Sequence, residues 1–299
     1  MITVLGSINI DLTATTHRLP KPGETVTGIS FTTAAGGKGA NQALAARRAG
    51  ASVRMAGAVG DDALATQALA LLADAAVDLS DVRIAAEATG TAHILVTSDG
   101  ENVIVVVPGA NGIVTPEDAK RTVGAMQRGD YLLLQFEIPA PAVEAALVTA
   151  RAKGVISIVN TAPLTPEVKR IGGMADVLIA NETEFELFID REKLSATERE
   201  EEMRALHAKT GQTLIVTLGA EGVIAIRKSE VYRAKGLKIT PVDTVGAGDT
   251  FCGYLAASLD AGHDFERALR RAAVAGSLAC LKPGAQPSIP FAAAVEARS

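Results

Sequence analysis

One stretch of the chain sets small residues and a single carboxylate where a loop turns into an apolar helix: Val242-Asp243-Thr244-Val245-Gly246-Ala247-Gly248-Asp249-Thr250-Phe251. Gly246, Ala247 and Gly248 let backbone come close to a ligand, and the amides of a first helical turn lack intrahelical acceptors. Such a turn attracts phosphate. A carboxylate beside it opposes phosphate by like-charge repulsion, so it needs another purpose. Asp249 fits a general base that takes a proton from an attacking hydroxyl while the amides stabilise a phosphoryl group in transit. The competing reading is structural: glycines that let a helix pack closely, and an Asp favoured by the helix dipole.

Further groups could serve the same reaction. Gly36-Gly37-Lys38-Gly39-Ala40-Asn41-Gln42 sets paired glycines before a helix. There Lys38 and Asn41 offer donors to a polyhydroxylated ligand, the plainer alternative being a glycine turn with a solvated lysine. Asn9 and Asp11 follow the first strand and face one side if that strand continues. Sugar hydroxyls both give and accept hydrogen bonds, which suits this pair; otherwise it is an ordinary Asx turn. Glu137 stands just past the apolar run Leu132 to Phe136, and Asn181-Glu182-Thr183-Glu184 ends another strand and opens a helix. Carboxylates at strand ends suit hydroxyls or metal-bound water. Helix capping is the other explanation, and it accounts better for Glu182 than for Glu184.

Other chemistries find no support. The 246–249 turn lacks the third glycine of G-x-G-x-x-G, and Gly37-Lys38-Gly39 lacks the Ser or Thr of a P-loop. The four histidines, His17, His93, His207 and His263, show no ligand spacing and no paired nucleophile. No G-x-S-x-G elbow is present.

A scaffold must bring these groups together. Ile2 to Leu5 reads as a short buried strand, and the alternation from Gly23 to Thr33 predicts strands with one exposed face. Lys38 to Ala49 is an Ala-rich helix stopped by Gly50. Val53 to Val59 is a strand, and Asp61 is expected to cap a helix running through Ala75. Ala92 to Thr97 and Val103 to Val107 form a hairpin across Asp99-Gly100. Beyond Pro108, strands at Tyr131 to Phe136, Val155 to Val159, Val177 to Ala180 and Leu214 to Thr217 alternate with helices. That rhythm predicts an α/β fold whose parallel sheet is covered on both faces. Val223 to Ile226 and Glu230 to Arg233 suit a closing hairpin, before helices at Gly248 to Leu259 and Phe265 to Leu281. The strand-rich segments at about 9–35 and 88–108 stand outside the alternation. They are expected to pair as a small projecting sheet, a lid over the carboxyl ends of the strands and an exposed surface for dimerisation.

At 299 residues one large α/β domain or two smaller ones are both possible; no low-complexity linker or internal repeat divides the chain, and a single domain over 1–299 is expected. Hydrophobic residues make up 48% of the chain with no Trp, so the core must be mainly Ala, Val, Leu and Ile. A net charge of −5 without a basic stripe argues against nucleic acid as a partner, though not against ATP. Cys252 and Cys280 lie in predicted helices without C-x-x-C spacing, which suggests neither disulfide nor zinc. Met1 to Gly6 has no signal-peptide character and no apolar run reaches spanning length, so a cytoplasmic protein independent of membranes is expected. The sequon Asn181-Glu182-Thr183 is then accidental.

In their order along the chain, these motifs are similar to those of the ribokinase family of carbohydrate kinases, the phosphofructokinase-B-like group, over essentially all 299 residues. The resemblance is carried by Gly6 to Asp11, Pro22 to Gly28, Gly36 to Gln42, Asn181 to Glu184, Asp243 to Phe251 and Gly284 to Ser288. It implies a ribokinase-like three-layer α/β sandwich with a mainly parallel central sheet and a projecting β lid. It also implies transfer of the ATP γ-phosphoryl group to O5 of D-ribose, giving ribose 5-phosphate and ADP. Under this resemblance Asp249 is the base, and the amides of Gly246, Ala247, Gly248 and Asp249 form an anion hole. Asn9, Asp11, Gly37, Lys38, Asn41 and Glu137 would hold the sugar. Asn181 and Glu184 would lie by the phosphates and Mg²⁺, with Thr217, Gly219 and Gly248 on the nucleotide. K⁺ or a similar monovalent cation would sit among Asp243, Val245, Ala279, Lys282, Gly284 and Ser288, and the lid would join a homodimer.

Two departures from the family pattern stand out. Asn160-Thr161-Ala162-Pro163 replaces Asn-Pro-Ala-Pro, which is expected to alter loop rigidity rather than chemistry. Lys282-Pro283 stands where Arg-Lys is common; a proline fixes φ and removes a donor, so cation affinity is the property affected. A related kinase acting on deoxyribose, fructose or a nucleoside such as adenosine is the alternative activity. Asn9, Asp11, Lys38 and Glu137 favour a free hydroxylated sugar, and the intact Asp249 argues against a non-catalytic sugar sensor.

Overall fold

Four consecutive buried residues, Ile2-Thr3-Val4-Leu5, form β1, and the main sheet grows outward on both sides of it. The structure is a computed structural model and describes residues 1–299. The remaining strands are β2 (Asn9–Thr16), β3 (Ser30–Gly36), β4 (Val53–Gly60), β5 (Asp78–Ala85), β6 (Gly90–Thr97) and β7 (Asn102–Val107). They continue with β8 (Tyr131–Leu134), β9 (Ile156–Asn160), β10 (Val177–Asn181), β11 (Thr213–Thr217), β12 (Val223–Arg227) and β13 (Glu230–Ala234). The helices are α1 (Lys38–Arg48), α2 (Ala63–Asp74), α3 (Pro116–Gly124), α4 (Ala140–Lys153), α5 (Val168–Gly172) and α6 (Glu182–Phe188). After them come α7 (Ala196–Thr210), α8 (Ala247–Asp260), α9 (Phe265–Ala279), α10 (Ala285–Ser288) and α11 (Ala292–Glu296).

The nine-stranded sheet runs β13-β12-β11-β10-β9-β8-β1-β4-β5. It is parallel from β5 to β11, with β12 and β13 added as an antiparallel hairpin. β1 pairs in register with β4 on one side and β8 on the other. The chain leaves β1 in one direction and returns on its far side, so a crevice opens at the carboxyl ends there, the place where open α/β sheets take ligands. Two apolar cores fill the layers. One contains 41 buried residues between the sheet and α1, α2, α8, α9 and α11; the other contains 32 between the sheet and α3 to α7.

Close contact between α1 and α8 matters for the site. Both are rich in alanine, and a Cβ at Gly253 would lie 2.5 Å from the Gln42 carbonyl oxygen, so only glycine permits this approach. Leu44 and Leu255 are fully buried there, each burial contributing about 1.5–3 kcal/mol.

The second sheet has the order β3-β2-β6-β7. β2 pairs antiparallel with β3 and parallel with β6, joining the two strand-rich segments, and β6 turns back into β7 across Asp99-Gly100. Its outer strand β7 exposes Val103, Ile104, Val105, Val106 and Val107, each 45–57% accessible.

Three local expectations are corrected. β3 begins at Ser30 rather than near Gly23, because Pro20, Pro22 and the left-handed Gly23 (φ 83°) break the chain into turns before it. Asp62, not Asp61, caps α2, accepting from the Ala65 amide at 2.9 Å. β5 has no counterpart in the sequence reading. Its Asp78, Ser80, Asp81 and Arg83 look like loop, but a polar strand is what a sheet edge calls for, and Arg54 pairs with Asp78 and Asp81 across it at 2.9 and 3.6 Å.

Candidate active site

The 246–249 turn opens α8 at the carboxyl end of the main sheet. Gly246 occupies the N-cap with φ 75°, a left-handed conformation that favours glycine, and a Cβ there would meet Ala285 at 2.9 Å. The Ala247 amide turns back to the Thr244 carbonyl at 3.3 Å and the Thr250 amide to Gly246 at 2.8 Å. The Gly248 and Asp249 amides have no acceptor within the chain, as expected of a first turn. Of the four expected anion-hole donors, Ala247 is therefore already engaged.

Asp249 is 7% accessible, and both its oxygens are held. Asn41 Nδ2 donates to Oδ2 at 2.9 Å and Gln42 Nε2 to Oδ1 at 3.0 Å. Burial pushes its pKa up, against the opposing pull of Lys38 and these two amides. A buried carboxylate raised in this way is a stronger base than an exposed one.

A cleft of about 210 Å³ opens beside Asp249, between α8 and the ends of β9, β10 and β11. Lys38, Asn160, Asn181, Glu184, Thr217 and Gly248 contribute to its walls. Gly219 lies on a 3₁₀ turn just beyond β11 and does not line it. Asn181 and Glu184 form a reciprocal cap on α6, with Asn181 Oδ1 accepting from the Glu184 amide at 2.8 Å and Glu184 Oε2 from the Asn181 amide at 3.0 Å. Glu184 Oε2 also accepts from Thr161 Oγ1 at 2.9 Å, which leaves Oε1 free of protein partners. Glu182, for which capping was expected, instead pairs with Arg199 at 2.7 Å.

On the other side of Asp249 lie the groups expected to hold a sugar. Asn9 opens β2, and Asn111 Nδ2 donates to its Oδ1 at 2.7 Å. Asp11, two residues on, has its carboxylate against Gly36, where a Cβ would sit only 2.5 Å from it. Gly37 is the N-cap of α1, packed on Ile8 and Asn9. Glu137 Oε2 accepts from Ser7 Oγ at 2.5 Å and from the Lys38 amide at 3.2 Å. Burial, with Glu137 and Asp249 nearby, raises Asp11 to about 6. Burial alone would lower Lys38, but Asp249, Glu137 and Glu184 outweigh it and hold the ammonium above its ordinary value.

Behind the turn, Asp243 ties two loops together: Oδ1 accepts from the Val245 amide at 3.0 Å and Oδ2 from the Gly284 amide at 2.8 Å. Ser288 donates to the Ala285 carbonyl at 2.8 Å, Ala279 ends α9, and Lys282 is exposed on the connecting loop. Cys252 is buried and its thiol pushed well up by burial, as fits a small core residue.

Sequence reasoning missed Gln42 as a partner of Asp249, and also Ser7, Asn111 and Thr161. Their partners are 23 to 207 residues away, so spacing could not reveal the contacts. The one available signal was Gln135, the polar residue inside the run Leu132 to Phe136; it is fully buried and bonded to Gln42.

Residues 1–292 match the profile of the pfkB family of carbohydrate kinases. A ribokinase of Bacillus subtilis is 38% identical over 296 residues, covering 99% of this chain and 98% of that protein. A ribokinase of Haemophilus influenzae is 35% identical over 290 residues, covering 97% and 95%. The structure of Arabidopsis thaliana ribokinase complexed with ribose and ATP superposes with a TM-score of 0.89 at 31% identity, covering 99% of this chain and 97% of that one. A match that begins at the first strand and runs through both glycine turns to the last helices places this chain in the pfkB family of carbohydrate kinases.

Proposed function

We propose that the enzyme transfers the γ-phosphoryl group of ATP to the O5 hydroxyl of D-ribose. One observation carries this reading: a buried carboxylate, held by two amides, stands in the same turn as unpaired helix amides facing a cleft. Asp249 takes the O5 proton, the new O5–P bond forms as the bond from Pγ to the bridging oxygen of ADP breaks, and the Gly248 and Asp249 amides stabilise the charge on the moving group. Asn9, Asp11, Gly37, Lys38, Asn41 and Glu137 hold the sugar. Asn181, Thr217 and Gly248, which line the cleft, hold the nucleotide, with Gly219 on the turn just beyond it.

No group of three or more His, Cys, Asp or Glu side chains is arranged to hold a metal ion. That suits Mg²⁺, which keeps its waters and binds through substrate phosphates with one or two carboxylates; the free Oε1 of Glu184 is the group for it. When bound, Mg²⁺ neutralises phosphate charge. Asp243, Val245, Ala279, Lys282, Gly284 and Ser288 would offer carboxylate, carbonyl and hydroxyl oxygens to K⁺ or a similar cation, which would firm the loop behind the anion hole. The β3-β2-β6-β7 sheet acts as a lid, and its apolar β7 edge joins a second copy of the chain as a homodimer.

The test is ADP release with ribose, deoxyribose, fructose or adenosine, for the wild type and Asp249→Asn. Ribose should give the highest kcat/KM, and Asp249→Asn should lose a factor of about 10²–10⁴ in kcat with ribose binding nearly intact. Near-wild-type turnover in Asp249→Asn refutes the base. A faster sugar than ribose reassigns the substrate, and rates equal to the no-sugar blank favour a sensor.

A further inference from the structure

A line of buried amides leads from the core to the base. Gln135 Nε2 donates to Gln42 Oε1 at 2.6 Å, and Gln42 Nε2 donates to Asp249 Oδ1 at 3.0 Å. Gln135 is 0% and Gln42 1% accessible, and neither lines the cleft. Their orientation is fixed by chemistry. An ionised carboxylate only accepts, so Gln42 must turn its NH₂ to Asp249. Its carbonyl then faces inward and needs a donor, which Gln135 supplies. Gln135 Oε1 ends the line without a partner, against Gly6, where a Cβ would lie 2.0 Å away. Gly6 thus makes room for this amide between β1 and β8.

Packing alone would not require this arrangement, since apolar side chains of the same volume would fill the space without the cost of two buried amides. We propose that Gln42 and Gln135 are positioning residues, an amide relay that anchors Oδ1 of Asp249, sets the plane of its carboxylate and keeps it ready to accept a proton. The inference rests on Asp249 being the base.

The relay acts in a crowded field. Lys38 on α1, Glu137 beyond β8, Asp11 on β2 and Cys252 on α8 all face Asp249. Burial, and with it Glu137, opposes the charged form; Lys38 and the two amides favour it. Removing the Gln42 donor leaves the carboxylate harder to ionise. Removing Gln135 leaves the Gln42 carbonyl unpaired and its amide free to turn, so the second residue works only through the first.

Gln42→Leu, Gln135→Leu, the double variant and Asp249→Asn test this through kcat and ribose KM from pH 5 to 9, with folding followed by circular dichroism. Gln42→Leu should lower kcat about tenfold, leave ribose KM within about threefold, and move the acid limb of kcat up by about one pH unit. Gln135→Leu should move the limb the same way by less, and adding it to Gln42→Leu should move it no further. Acid limbs that stay in place in the folded single variants overturn the relay, as does an additive shift in the double variant. If a leucine variant does not fold, Gln42→Met and Gln135→Met, unbranched and flexible, carry the same comparison. An active Asp249→Asn removes the base assignment itself, whereas an inactive Asp249→Asn with unmoved limbs removes the relay alone.

Discussion

Asp11 sets a quantitative test of how the sugar is held. Burial first, then Glu137 and Asp249, raise its pKa from 3.8 to about 6, with Lys38 pulling the other way. Sugar hydroxyls donate best to an ionised carboxylate, so the binding-competent form is the deprotonated one. About a tenth of molecules carry it at pH 5 and about nine tenths at pH 7, so apparent ribose affinity should fall about tenfold between pH 7 and pH 5. The same shift is a stability statement. With the folded pKa raised, the contribution is fully present below about 3.8 and is lost as pH rises through about 6, with a ceiling of about 3 kcal/mol. Asp11→Asn should therefore melt higher than the wild type at pH 8, with little difference at pH 4. It should also bind ribose more weakly at pH 7, with a flatter pH dependence. Calorimetric titration with ribose at pH 5, 6, 7 and 8, beside thermal melts, reads all of these. A ribose Kd that stays constant from pH 5 to 7 refutes the reasoning, as does an undiminished slope in Asp11→Asn.

Thr161 is buried and donates to Glu184 Oε2, so Thr161→Val should raise the Mg²⁺ concentration for half-maximal rate about tenfold without changing ribose KM. Thr161→Ser should restore it; equal Mg²⁺ dependence in all three proteins would rule out the contact as a support for Glu184. The apolar β7 edge predicts that Ile104→Glu with Val106→Glu turns a dimer into a monomer in light scattering behind size exclusion, while an unchanged mass moves the interface elsewhere.

The parts legible in the sequence were those whose chemistry is local. Gly246 to Asp249 and Gly36 to Gln42 announce themselves because turn, cap and first helical residues are adjacent in the chain. The parallel sheet was legible from the alternation after Pro108. What escaped was set at a distance. Asn111 holds Asn9 and both the amide and carbonyl of Ile8, and no pattern near residue 111 shows it. Thr161 looked like a change in loop stiffness; the fold turns it into a donor to Glu184, 23 residues on. β5 was hidden because an edge strand carries the polar residues that otherwise mark a loop. Glu182 and Glu184 were ranked the wrong way round for capping: Glu184 closes the cap with Asn181, and Glu182 is drawn away by Arg199.

On the proposed roles, the charges gathered here account for one turn serving both as base and as anion hole. Asp11, Glu137, Asp249 and Glu184 outnumber the single cation Lys38, and the last three hold its ammonium above the ordinary value against the effect of burial. A site this acidic repels a bare triphosphate and accepts a neutral polyol, whose hydroxyls satisfy carboxylates without adding charge. On the proposed reading, phosphate attraction comes from groups other than a second cationic side chain: the unpaired Gly248 and Asp249 amides, and a metal ion that would arrive with the nucleotide. Burial, with Glu137 adding to it and Lys38 opposing, disfavours ionised Asp249 and so strengthens it as a base. A second cationic side chain would ease phosphate binding while weakening the proton acceptor. On this argument, placing the anion hole in the backbone lets both functions share one helix end.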